Sequence, residues 1–380
     1  MPIAARAAAA LLLALSAALA TAAPLPVPAA PTFPAKSWIL QDAQSGRVLA
    51  ARDPDQAVEP ASITKIMTAY AVLHELRDGK LTLADQVTVS KKAWQMEGSR
   101  MFIEVGKQVD VQSLLKGVII QSGNDASVAL AEHVAGSEEV FAALMNRHAA
   151  RLGMSGTHYV NSTGLPDPQH YTTAHDIATL SRALIREFPE QYAWFAERSM
   201  VFNGITQHNR NKLLWRDDAV DGVKTGHTES AGYCLAASAE REGMRLVAVV
   251  LGSASEESRT QESLALLNYG FRFFETHRLY QAGKPLTEAR IWKGDSAALP
   301  LGLANDLWLT IPRGRYPQLA ASMELPQRIL APATQGQAIG KVAVRLGDEL
   351  VADAPLVALA SVAEGGLFQQ LADEVRLWFE

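Results

Sequence analysis

The chain has 380 residues and a single cysteine, Cys234, so no disulfide can form within it. A domain-sized core makes one unnecessary, even for an exported protein. Neither a Cys-x-x-Cys nor a His-x-x-x-His pair occurs, and the nine histidines are scattered, which leaves no metal-ligand spacing. No metal or other cofactor is expected. Basic runs are also missing and the formal net charge is -5, so nothing supports non-specific binding to nucleic acid. Long hydrophobic runs are scarce too. The main one, Ala7 to Ala20, falls short of the roughly 20 residues that cross a bilayer.

That short run has a meaning of its own. Arg6 precedes it and Ala20-Thr21-Ala22 follows it. Together they read as a secretory signal peptide over residues 1–22, with the mature chain starting near Ala23; an uncleaved anchor is the competing reading. Residues 23–36, rich in Pro and Ala, read as a flexible lead-in. The whole chain is 48% hydrophobic and 20% charged, which excludes a disordered chain.

Periodicity divides the remainder. Ser37 to Ala43 and Val48 to Arg52 alternate apolar and polar residues about the turn Gln44 to Arg47, predicting a β-hairpin. Behind Pro60, the residues Ile66, Met67, Tyr70, Leu73 and Leu76 recur at helical spacing, predicting a buried helix from about Ala61. Residues 82–188 are mostly helical, with Asp110 as an N-cap and a loop from Asn161 to Tyr171. Tyr233 to Ala239 and Leu246 to Leu251 flank the turn Arg241-Glu242-Gly243, a second hairpin, and Ser258 to Tyr269 predicts a helix. Strands first and last with helices between favour one antiparallel sheet joining both ends. Past Ala282, short strands and turn signals alternate, predicting a small all-β domain over 282–363. In Gly366 to Glu380 the residues Leu367, Leu371, Val375 and Trp378 make one apolar helix face, with Phe368 and Phe379 beside it. Such a helix either docks on the β-domain or lies on a membrane surface; the second use has little positive charge to help it.

Three short motifs carry the chemistry: Ser62-Ile63-Thr64-Lys65, Ser122-Gly123-Asn124 and Lys224-Thr225-Gly226. A Ser-x-x-Lys tetrapeptide arises about once by chance in a chain this long. A second copy, Ser113-Leu114-Leu115-Lys116, does occur. Ser62 is preferred because it starts a helix, where one turn puts Ser and Lys on the same face. A serine becomes a nucleophile once a base takes its proton. Lys65 can be that base if it is neutral, and Lys224 is a cation suited to lowering its proton affinity. Ser122 can relay a proton to the leaving amine, and Asn124 can orient Lys65 or hold a substrate amide. Cys234 reads as a small buried strand residue, and Asp176 as a residue shaping the loop.

The order and spacing of these motifs resemble the active-site serine penicillin-binding proteins and β-lactamases. The longer stretches His208-Asn209-Arg210-Asn211, Leu213-Leu214-Trp215 and Asp221 to Thr228 resemble the low-molecular-mass D-alanyl-D-alanine carboxypeptidases, over about Ser37 to Arg278. The resemblance implies an α+β fold: a penicillin-binding-protein-like transpeptidase domain, antiparallel sheet with helical subdomain, over 37–281, then the all-β domain and the amphipathic helix 364–380. It implies hydrolysis of the terminal D-Ala-D-Ala bond of peptidoglycan stem peptides, with β-lactams as covalent inhibitors. It puts the oxyanion hole at the backbone N–H groups of Ser62 and His227. Thr225, Arg210 and Arg259 become candidates for the substrate carboxylate, and Lys224, Gly226 and His227 join them as substrate-binding candidates. The implied location is the periplasm, at the outer face of the cytoplasmic membrane.

No glutamate occurs between Val140 and Ile185, where a class A β-lactamase carries its deacylating residue. A long-lived penicilloyl enzyme is therefore expected. A DD-endopeptidase and a silent envelope-binding module are the rival readings.

Overall fold

A computed structural model describes residues 27–378. The leader, the start of the lead-in and Phe379 lie outside the described residues. The described part of the lead-in has no regular element, yet it is not loose. Val27, Ala30 and Phe33 pack on the core, and the Tyr269 hydroxyl donates to the Pro28 carbonyl at 3.0 Å. Apolar side chains between the prolines give this segment a hold that a composition-based reading overlooks.

The main sheet has five strands. β1 (Ser37–Asp42) and β2 (Val48–Arg52) form the first hairpin. Two small antiparallel pairs follow within the helical half: β3 (Gln86–Thr88) with β4 (Gln108–Asp110), and the hairpin β5 (Ser199–Phe202) with β6 (Ile205–His208). Then come β7 (Val220–Thr228), β8 (Gly232–Arg241) and β9 (Met244–Ser253). The sheet order is β2-β1-β9-β8-β7, so the first strand pairs with the last and β7 is an edge. The turn between β8 and β9 has positive φ at Glu242 and Gly243, the pattern that matches strand twist in tight hairpins.

Strand alternation creates two apolar faces. Leu40, Leu246, Ala248 and Val250 pack on one side with Leu266 and Leu267 of the helix Glu256–Phe273. Ile39, Val247, Val249 and Leu251 pack on the other, with the helical half. That half is built around α1 (Lys65–Arg77), buried continuously from Lys65 to His74. Around it lie α2 (Val111–Lys116), α3 (Asn124–Ala135), α4 (Glu138–Arg151) and α5 (Ala174–Glu187). Asp110, Ser137 and Thr173 cap α2, α4 and α5 by accepting from a backbone N–H three residues on. The helix Glu256–Phe273 is α6.

The C-terminal part is all-β, as expected. It starts earlier than the composition change at Ala282 suggests. β10 (Phe274–Tyr280) follows α6 without a linker and pairs with β13 (Leu307–Pro312). The aromatic run at 271–274 continues the helix pattern and hides the junction. β11 (Pro285–Trp292), β12 (Ala298–Gly302), β14 (Leu319–Glu324), β15 (Ile329–Leu330), β16 (Ala338–Leu346) and β17 (Glu349–Ala358) form a six-stranded sheet. The buried Asp42 carboxylate accepts from Thr276 Oγ1 at 2.7 Å, tying this part to β1. The terminal helix α7 (Leu367–Leu377) rests on the β-domain through its polar face. Asp373 accepts from the Lys293 backbone N–H at 2.8 Å and Glu374 pairs with the Lys293 ammonium. Leu367, Phe368, Leu371, Val375 and Trp378 are all exposed, Phe368 to 92%. No helix among the described residues is long and apolar enough to cross a membrane.

Candidate active site

The site lies where edge strand β7 meets the start of α1. Ser62 sits in a 3₁₀ turn, Ala61–Thr64, that runs straight into α1. Ala61 has a φ of 49°, an uncommon conformation for a residue with a Cβ, of the kind that gathers at functional turns. Two glycines permit the close packing here. A Cβ on Gly164 would lie 1.8 Å from the Ala61 carbonyl oxygen. A Cβ on Gly226 would lie 3.1 Å from the Ser62 nitrogen and 3.0 Å from the Pro60 oxygen. Gly226 thus brings β7 against the Ser62 backbone with nothing between them.

Lys65, one turn after Ser62, is fully enclosed. Its Nζ lies 3.0 Å from Ser62 Oγ, 2.6 Å from Asn124 Oδ1 and 2.6 Å from the Thr163 carbonyl oxygen. Burial is the largest cause that pulls the Lys65 ammonium down to about 7, while the negative charges of Asp125 and Glu138 resist it. Lys224, on β7, is also buried, and its Nζ donates to the Thr225 carbonyl at 3.1 Å. Its proton affinity falls well below the ordinary lysine value, through burial first and then through Lys65, Arg259 and Arg210. Of the two causes that can lower Lys65, partial desolvation and a second cation such as Lys224, desolvation dominates. The repulsion between the two lysines is felt at Lys224.

Ser122 closes a π-helical turn, Gly117–Gln121, at a φ of 65°, and α3 restarts two residues later at Asn124. π-Turns of this kind recur at functional sites. Asn124 is fixed at both ends of its amide: Oδ1 accepts from Lys65, and Nδ2 donates to the Glu97 carbonyl at 2.6 Å. Thr225 and Gly226 are buried in β7, while the exposed His227 ring stacks on Tyr233 at 4.0 Å. The second Ser-x-x-Lys copy is otherwise engaged: the Ser113 hydroxyl donates to Asp110 at 2.8 Å and Lys116 pairs with Glu197 at 2.6 Å.

The two arginines differ. Arg210 is exposed, and its charge is felt at both Lys224 and Arg259. Arg259 is 5% exposed and donates to the Gly226 carbonyl at 3.0 Å, so it braces β7 from its own side of the strand and is no surface residue. The sequence missed several residues. Asp125 accepts from the backbone N–H groups of Met101, Phe102 and Ile103 and fixes that loop. Asn161, Ser162 and Thr163 form the turn that supplies a carbonyl to Lys65, and Glu138 binds Ser162. His170 Nε2 lies 2.8 Å from Thr64 Oγ1. The loop signal at 161–171 marked the region, but a backbone carbonyl has no residue signature. Among the described residues no cluster of His, Cys, Asp and Glu suits a metal.

A sheet edge laid against a buried Ser-Lys-Asn cluster, with helices on one flank, defines an active-site serine enzyme of the penicillin-binding class. Comparison with known proteins narrows the class. The sequence model of the D-alanyl-D-alanine carboxypeptidase family, Peptidase S11, matches residues 26–255. That of the penicillin-binding protein 5 C-terminal domain matches 274–364, starting at β10. D-alanyl-D-alanine carboxypeptidase DacC of Escherichia coli is 44% identical over 358 residues, covering 92% of this chain and 90% of that protein. Penicillin-binding protein 5 of Haemophilus influenzae superposes with a TM-score of 0.85 at 41% identity, covering 89% of this chain and 100% of that one. Penicillin-binding protein D2 of Listeria monocytogenes, solved in its ampicillin-bound form, gives a TM-score of 0.59 at 28% identity, covering 63% and 100%. The chain belongs to the D-alanyl-D-alanine carboxypeptidases of the S11 family, and is a serine hydrolase with penicillin-binding-protein architecture.

Proposed function

We propose that this enzyme removes the terminal D-alanine from peptidoglycan stem pentapeptides through an acyl intermediate on Ser62. The observation that carries this reading is the Lys65 amine, which has two fixed acceptors and one nucleophile around it. A neutral amine has two N–H bonds and one lone pair. Asn124 Oδ1 and the Thr163 carbonyl are acceptors only, so they take the N–H bonds. The lone pair is left for the Ser62 hydroxyl proton, and a proton affinity near neutral keeps it available.

Ser62 Oγ then attacks the carbonyl of the penultimate D-alanine. The backbone N–H groups of Ser62 and His227 receive the developing negative charge, which Gly226 leaves room for. Ser122 passes the proton to the departing D-alanine nitrogen. Water attacks the acyl enzyme with Lys65 again as base. Arg210 and Lys224 receive the terminal carboxylate beside Thr225, and the arriving negative charge opposes the lowering of the Lys224 proton affinity by burial. Arg259 contributes by holding Gly226 in place. No cofactor takes part.

β-Lactams acylate the same serine and leave slowly, since the loop 161–171 carries no glutamate to activate water. Export to the periplasm follows from the leader at 1–22. The exposed apolar face of α7 supports peripheral contact with the membrane surface. Product analysis tests the substrate: D-alanine released from a monomeric pentapeptide, with a cross-linked dimer left intact, supports a carboxypeptidase. Preferential cleavage of the dimer makes the enzyme an endopeptidase.

A further inference from the structure

We propose that Glu138 is a positioning residue for Lys65: it clamps Ser162 and so holds the Thr163 carbonyl on the Lys65 amine. The proposal rests on Lys65 acting as the base.

Glu138 begins α4 and is 7% exposed. Its Oε1 accepts from both the backbone N–H and the hydroxyl of Ser162, at 3.0 and 2.8 Å. Its Oε2 lies 3.0 Å from Lys92 Nζ. The Ser162 carbonyl is held from the other side by Thr68 Oγ1 of α1 at 2.6 Å. Asn161 Oδ1 collects the N–H groups of Thr163 and Gly164 at 3.1 and 2.7 Å. Both sides of Ser162 are therefore fixed, and the next carbonyl is the one on Lys65. If it swung away, a Lys65 N–H would lose its acceptor and turn toward Ser62, and the lone pair would be misaimed.

Glu138 also brings a charge that a glutamine would lack. Around Lys65 stand Asp125 from α3, Glu138 from α4, Lys224 from β7 and His170 from the loop. Around Glu138 stand Lys92 from the short helix Lys91–Trp94, Lys65 and His170, with Glu139 next along α4. Asp125 adds its own negative charge on Lys65, ahead of Glu138, but its oxygens are bound to the N–H groups of residues 101–103, so it cannot replace the clamp on Ser162. The negative charge of Glu138 favours protonated Lys65. Removing it therefore leaves the free amine available to lower pH.

The two contributions separate experimentally. The measurement is the second-order rate of acylation of the full chain by a fluorescent penicillin, from about pH 5 to 9. In Glu138→Gln the acid limb moves down by about half a pH unit. Its plateau recovers most of the rate lost in Glu138→Ala, which falls about tenfold. Lys92→Met, at a half-exposed site that folding tolerates, unbalances Glu138 and moves the limb up. A Glu138→Ala plateau equal to wild type, or a Glu138→Gln plateau no higher than that of Glu138→Ala, overturns the positioning role, and a Glu138→Gln limb that coincides with wild type or lies above it overturns the charge contribution. If that variant does not fold, a Lys92→Met limb coincident with wild type overturns it instead. Lys65→Ala serves as the control: wild-type acylation there refutes the base assignment itself, whatever the Glu138 variants do.

Discussion

Lys65 Nζ lies 2.6 Å from the carbonyl oxygen of Thr163, across 98 positions of sequence. With Asn124 Oδ1 at the same distance, this carbonyl leaves the lysine lone pair one direction to face, toward Ser62.

The pH dependence of acylation follows. The base must be neutral, and the Lys65 ammonium titrates at about 7. Acylation by a penicillin should rise as pH climbs through 7 and then level, instead of rising through the ordinary lysine range near 10. Lys65→Ala should cost about 10²–10⁴-fold in acylation rate while penicillin still binds reversibly.

Gly226 and Gly164 predict different failures. In Gly226→Ala the methyl group occupies the space beside the Ser62 nitrogen. Acylation should slow by about 10²-fold, with a melting temperature close to wild type. In Gly164→Ala a Cβ meets the Ala61 carbonyl at a φ of 81°. That variant should lose about 3 kcal/mol or more of stability as well as activity. Thermal melts beside acylation rates distinguish them.

Acid should loosen the loop over the site. His170 Nδ1 accepts from the Val160 backbone N–H at 3.2 Å, so its proton sits on Nε2 and is donated to Thr64. Burial lowers its pKa from 6.5 to about 4. In the unfolded chain the ring takes up a proton below 6.5, while the folded ring resists until about 4. Stability is thus complete above 6.5 and falls as pH drops through that window. His74 and His148 shift the same way, also to about 4. His170→Asn keeps an acceptor for Val160, and its melting temperature should fall less steeply between pH 6.5 and 4.

The terminal helix predicts a surface behaviour. Replacing Phe368 and Trp378, 92% and 81% exposed, by serine should abolish sedimentation with phospholipid vesicles. Acylation in solution should not change, since these residues lie outside the site.

Much of the fold was legible. Alternation at 37–52 and 233–251 specified the sheet, and the buried spacing from Ile66 to Leu73 specified α1. Ser62, Lys65 and Ser122 were legible because each starts or ends an element whose signals are local, while Lys224, in the middle of β7, was legible through its motif. Three things were not. The β10 junction was masked by aromatic residues continuous with α6. Arg259 was legible as a candidate for the substrate carboxylate but not as a buried brace on the Gly226 carbonyl, because sequence does not show which way a helix faces its sheet. The Thr163 carbonyl and its support by Glu138 depend on backbone geometry brought together by folding, and any residue can supply a carbonyl.

The most direct test of the account is D-alanine release from a monomeric pentapeptide, compared between the wild-type chain and a folded Ser62→Ala variant. The wild type should release one equivalent of D-alanine per peptide and the variant none. Release that survives in Ser62→Ala, or no release by the folded wild-type protein, would contradict it.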